Sequence, residues 1–311
     1  MQILTGLGKD PRSLAFSPDG RLLGGGDTEA FRLWDPSAGP APLWVRAQFN
    51  DYLRWNFAFT PDGASVVGGQ GDSFARYDIR TGAKTPDLFL RELQPIGFAP
   101  NGWVALGVAA DNAGLLRLRC ARTATDGKWD EVWRKGIPFD PASGASGYRF
   151  LRFSADGGRL VRVFTRKRGD RTPAVTGVEV YDSDTGSLLA EWSGKLPFAA
   201  SECAVAPSGV LALTRDASLF VCDPTAPRSK FAKHRNGSAK HFTSVAFSPD
   251  GSKLATTSND TAATLWDTTT WQVTRRYEWA IGRLRVVCFS PDGLRCAAGI
   301  ETGQIVVWDL D

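Results

Sequence analysis

The string FSPDG occurs at 16–20, again at 247–251 and a third time at 289–293. Looser copies fill the interval: FTPDG at 59–63, FAPNG at 98–102, FSADG at 153–157 and VAPSG at 205–209. Their closing glycines, Gly20, Gly63, Gly102, Gly157, Gly209, Gly251 and Gly293, stand 43, 39, 55, 52, 42 and 42 residues apart. A period near 42 points to a repeat architecture before any single residue is weighed. Each copy has local turn chemistry. Proline presets φ for the second position, Asp or Asn tolerates the next, and glycine supplies the positive φ that closes the turn. Short apolar runs such as SLAF and RLLGGG flank the copies, so each reads as a β-hairpin.

A second element follows each hairpin at a nearly constant distance. It is FRLWD at 31–35, FARYD at 74–78, VEVYD at 178–182, LFVCD at 219–223, ATLWD at 263–267 and IVVWD at 305–309. Alternating β-branched, aromatic and aliphatic residues mark a third strand, and the Asp begins a turn. In the third unit the corresponding strand is LLRLR at 115–119, without Trp or Asp. Half-apolar runs such as LWVRAQF, WDEVWRK and VTRRYEW supply a fourth. Seven units of four strands divide 311 residues into steps of about 11, the spacing of an all-β chain.

A third strand ending in Trp-Asp behind an FSPDG hairpin resembles the WD-repeat β-propeller family, and the resemblance runs along essentially the whole chain. It implies a seven-bladed β-propeller of four-stranded antiparallel sheets, read as one domain over 1–311. It also implies that the N-terminal strand, here residues 2–6, completes a last blade that has only three strands of its own. Closure of the ring removes exposed sheet edges. Many WD repeats carry a hydrogen-bonded set: a His before the first strand, a Ser or Thr on the second, the Trp, and an Asp in the turn before the third. With only His234 and His241 in the chain, the set is mostly missing. In the sixth unit Ser238 falls in the His position, with Asp260, Thr256 or Thr257 and Trp266 to follow; the first unit offers Thr28 and the seventh Thr302 in the Asp position. Stability is then expected from aromatic anchors between sheets: Trp34, Trp266, Trp308, Tyr77 and Tyr181.

The chemistry of catalysis is thin. Two histidines exclude a His-rich metal site, and neither a G-x-S-x-G elbow nor a phosphate-cradling loop occurs. The glycines at 24–26 sit on a predicted strand, where close sheet contacts explain them. The acids Asp72, Asp111, Glu202 and Asp216 could line the central channel of a propeller enzyme or small-ligand binder, the rival reading. Five cysteines without paired spacing read as buried thiols. No segment has the length of a membrane span, and no secretory signal is visible. We expect no cofactor, no metal and no catalysis, a monomeric fold unit, and a reducing cytoplasm.

What remains is binding. By the family's topology, the connections between second and third strands, and from each fourth strand into the next blade, share one face. Basic charge gathers in two of them. Arg166, Lys167, Arg168 and Arg171 stand against Asp170, and residues 230–241 hold Lys230, Lys233, Arg235 and Lys240 without an acid; the whole chain is only +4. Aromatic and Arg anchors lie nearby: Tyr52 and Trp55, then Trp279 and Arg283. The reading is a protein or peptide interaction scaffold, with an acidic or phosphorylated partner favoured and nucleic acid as the lesser alternative.

Overall fold

The computed structural model of the chain describes residues 1–27, 29–47, 57–70, 73–84, 93–98, 103–108, 115–123, 129–138, 150–166, 175–194, 200–226 and 230–310. The described strands form seven antiparallel sheets, six of four strands and one of three. The inner strands are Ser13–Phe16, Phe57–Phe59, Leu93–Phe98, Phe150–Phe153, Glu202–Val205, Phe242–Phe247 and Leu284–Phe289. Each sheet, or blade, then steps outward through the chain in order. The third unit's third strand, Leu115–Thr123, lies where the sequence places it. In the second blade three strands are described, ending with Ser73–Asp78, and residues 85–92 lie outside the described set. None of the described residues forms a helix long and apolar enough to cross a membrane.

The last blade is closed by the N-terminus, as expected. Gln2–Thr5 pairs antiparallel with Gln304–Asp309, in the register Gln2 to Val307 and Thr5 to Gln304. Leu4 is fully buried, and it packs with Leu14 and Leu23 of the first blade and with Ile305 of the last. The inner strand Ser13–Phe16 also lies against Leu284–Phe289, so the last sheet meets the first.

The hairpin turns form for the reasons legible in the sequence, with one addition. Six of the seven closing glycines are described, and all have positive φ, from 65° at Gly63 to 93° at Gly209. The addition is the Ser or Thr ahead of the proline. Ser17 donates to Asp19 (2.6 Å), Thr60 to Asp62 (2.6 Å) and Ser248 to Asp250 (2.6 Å). The same hydroxyl accepts the N–H that opens the second strand, as Leu22 shows at 2.8 Å. These hydroxyl bonds hold the Asp19, Asp62 and Asp250 carboxyls below their usual range.

The core lies in layers between blades. Trp34, Tyr181, Trp266 and Trp308 are buried there, while Tyr77 is half-buried. The indole of Trp34 donates to the carbonyl of Thr5 (2.9 Å), tying the first blade to the closing strand. Trp44 donates across to Ile79 and Trp133 to Ser183, each at 2.8 Å. Small residues make room: a Cβ on Gly24 would come within 2.7 Å of Phe57, and one on Gly25 within 2.9 Å of Trp34. In the fourth blade Arg162 and Glu179 form a buried ion pair at 2.8 Å, and the Tyr181 hydroxyl donates to Glu179 at 2.5 Å. Burial, then the Glu179 bond, drive the Tyr181 hydroxyl pKa well upward.

Candidate functional site

The connections between second and third strands, and those leading into the next blade, are the candidate site, so their internal bonding decides what stays available. In the first blade Asp27 holds the incoming chain. Its side chain is buried, accepts the Gly8 N–H (2.7 Å) and those of Glu29 (2.7 Å) and Ala30 (2.9 Å), and pairs with Arg32. Thr28 lies outside the described residues. In the seventh blade the Thr302 hydroxyl donates to Gln304 (3.3 Å). Glu301 carries the charge there, pairing with Arg285 at 3.0 Å and with Arg283 at 3.9 Å.

The sixth blade is richest. Asp260 accepts from Ser238 and Ser258 and pairs with Arg276 at 2.9 Å. Ser238 therefore meets Asp260 as the sequence places it. Of the two threonines offered beside Trp266 it is Thr256 that accepts the indole N–H, at 3.0 Å, while Thr257 bonds to Thr243 at 2.9 Å. Burial pushes the Asp260 carboxyl up, but the bonds from Ser238, Ser258 and Arg276 outweigh it and hold the group at about 2. Sequence reasoning missed Ser258 and Arg276; the alternation of VTRRYE, which turns Arg276 toward the Asp260 turn, was the available signal.

The connection 236–241 is itself held. Asn236 is buried, and its side-chain amide donates to the Lys240 carbonyl (2.9 Å), while Ala239 sits at φ 56°. Arg235 and Lys240 are exposed at this face. Lys230 is not with them. The outer strand Ala232–Arg235 runs from the hairpin face to the loop-rich face, and Lys230 precedes it, beside Ser208, Gly251 and Thr268. Lys233 lies on the strand with its ammonium over Phe220, 5.5 Å from the ring centre. The four lysines and arginines that adjoin in sequence are thus divided between two faces and a rim.

The other candidates separate as follows. Trp279 is a packing residue, 4.8 Å from Trp308 and 5.6 Å from Tyr277 between ring centres. Arg283 is exposed at the loop-rich face near Glu301. Tyr52, Trp55, Lys167, Arg168 and Arg171 lie outside the described residues, as do Asp72 and Asp111; of Arg166 only the backbone, at the end of the strand Arg159–Arg166, is described. Glu202 is half-buried on an inner strand, whereas Asp216, at φ 51°, pairs with Arg215 at 3.4 Å and lies 3.8 Å from His241. Among the described residues, no three His, Cys, Asp or Glu side chains stand close enough to hold a metal ion. Cys203, Cys222 and Cys296 are buried and Cys288 half-buried, all as free thiols. Burial pushes Cys203 and Cys288 up to about 12, far from the thiolate that nucleophilic chemistry needs.

Residues 227–267 match the family model described as WD domain, G-beta repeat. The chain is a β-propeller that carries a WD repeat. The matched stretch reaches back into the outer strand of the fifth blade and ends at Asp267, so the repeat is offset from the blade by one strand. No curated protein matches the sequence. Among solved structures the propeller is similar to the β-propeller domain of Cps50 (Swd1) from Myceliophteria thermophila. The TM-score is 0.67 at 17% identity, over 99% of this chain and 98% of that one. With 1590 solved chains matching, the likeness speaks for the fold and selects no activity.

Proposed function

We propose that the propeller is a non-catalytic platform for a protein or peptide partner, engaged on the loop-rich face of the fifth to seventh blades. The observation that carries this reading is the pairing state of that face. Asp260 and Glu301 are occupied by Arg276, Arg285 and Arg283. Arg235 and Lys240 are exposed with no charged partner among the described residues, on a connection braced by Asn236. Pre-organised, uncompensated positive charge beside neutralised pairs favours an acidic partner. WD propellers generally act as scaffolds rather than enzymes, which fits thiols suppressed by burial and carboxylates committed to turns. The free thiols suit a reducing cytoplasm.

A displayed peptide library panned against the protein tests the reading. Acid-rich sequences should be enriched. Their affinity should fall by roughly tenfold when Arg235→Glu and Lys240→Glu are combined, with the melting temperature unchanged. Failure to enrich acid-rich sequences, or equal binding by the variant, would overturn it.

A further inference from the structure

The hairpin face, opposite the platform just described, has a hollow of its own. Side chains alternate along an inner strand, so Leu14 and Phe16 turn toward the last blade while the half-buried Ala15 turns toward the second, and its short side chain leaves space at the axial end. The next-to-last position of the inner strand is Ala15, Ala58, Ala246 and Cys288 in the first, second, sixth and seventh blades. Four small side chains at one level leave the axis unfilled, and they line a cavity of about 480 Å³. Phe16, Phe59 and Phe247, which follow three of them, form its walls, and Pro18, Pro249 and Pro291 of the turns form its lip.

Among the described residues, only one charged residue lines this hollow, Asp156. Its Oδ1 accepts from the Ser154 hydroxyl (2.5 Å) and the Gly158 N–H (3.1 Å). Its Oδ2 has no hydrogen-bond partner among the described residues. The nearby arginines are turned to the neighbouring blades: Arg295 donates to the Gly20 carbonyl at 2.7 Å and stacks over Phe16, and Arg159 lies against Gly209.

We infer that the hub cavity on the hairpin face binds a compact hydrophobic cation, an aromatic or branched aliphatic body with a single ammonium end. The volume lies within the range of small-ligand pockets, which are mainly apolar with a few oriented polar groups. The phenylalanine walls take the body, and the open oxygen of Asp156 takes the charge at the mouth. This site is independent of the platform on the other face.

Methyl NMR on alanine-labelled protein, titrated with 2-phenylethylammonium and separately with 3-phenylpropionate, tests the inference. The ammonium should give saturable shifts at Ala15, Ala58 and Ala246, and the carboxylate none. Asp156→Asn should weaken binding by about threefold to tenfold. Ala246→Leu should abolish it by filling the hollow, and Ala15→Leu provides the same result if the first variant folds poorly. Arg235→Glu should leave it unchanged. Absent saturation, equal shifts from the carboxylate, or full binding in both leucine variants would overturn the proposal.

Discussion

At the scale of single residues, Asp260 shows how a propeller short of histidines still fastens a connection. Ser238 supplies a hydroxyl where a family member would place an imidazole, and Ser258 with Arg276 completes the set. With 9% of its side chain exposed, the carboxylate is little screened. Its folded value of about 2 lies below the ordinary unfolded value near 3.9. Its stabilisation is therefore complete above about pH 4 and is lost as pH falls toward 2. Asp260→Asn should cost on the order of 1–2 kcal/mol at neutral pH, and wild type and variant should converge near pH 2. Urea unfolding across that range checks the convergence; parallel curves would remove the ionised group from the account. The sequence located Asp260 and Ser238, because turn spacing is rigid. It offered Thr256 or Thr257 and passed over Ser258, because neighbouring hydroxyls differ only in which way the strand turns them.

At the scale of elements, the junctions between blades use one bulky aromatic in two ways. Between the first two blades it comes from the outer strand: Trp44 lies over Gly82, where a Cβ would come within 2.9 Å of the indole. Trp133 lies over Gly186 in the same manner. Between the fifth and sixth blades the arrangement is reversed. Ala232 pairs with Val221 in the register that Trp44 holds with Leu33, and the turn position of Gly82 is Trp271. Trp271 has φ 56°, against 62° at Gly82, and stacks on His234 at 5.8 Å. A left-handed non-glycine residue costs about 1–2 kcal/mol, which its packing must offset. Trp271→Gly alone should destabilise by about 1–3 kcal/mol despite relieving that strain. Ala232→Trp alone should bring no gain, because the space is taken. Combined, the two should couple favourably by at least about 1 kcal/mol. A thermodynamic cycle from urea unfolding measures it, and additive effects would refute the exchange. The hairpins, third strands and glycine contacts were readable because each depends on neighbours in the chain. The exchange was not, because its two residues belong to different repeats.

At the scale of the whole molecule, the ring depends on a short seam. Gln2–Thr5 covers both the strand beside it and the flank of the first blade through Leu4. Leu4→Ala should cost about 2–5 kcal/mol, and it should lower the midpoint of the entire unfolding transition rather than fray four residues. Circular dichroism in urea distinguishes the two, and a local loss with an unchanged main transition would contradict the seam's role. Charge was the feature least legible at this scale. The run from Lys230 to Lys240 is compact in sequence, yet one strand carries it across the thickness of the disc, so a linear count overstates the local field.

The seam also has a direction. Gln2 lies opposite Val307 and Thr5 opposite Gln304, so the two chain ends leave from the same side of the pair. A mechanical load drawn through those ends would part the strands rung by rung, like a zipper, and never stretch all the bonds together. Anchored at both termini, the molecule would yield first at its clasp, at low force, with the other six sheets still folded.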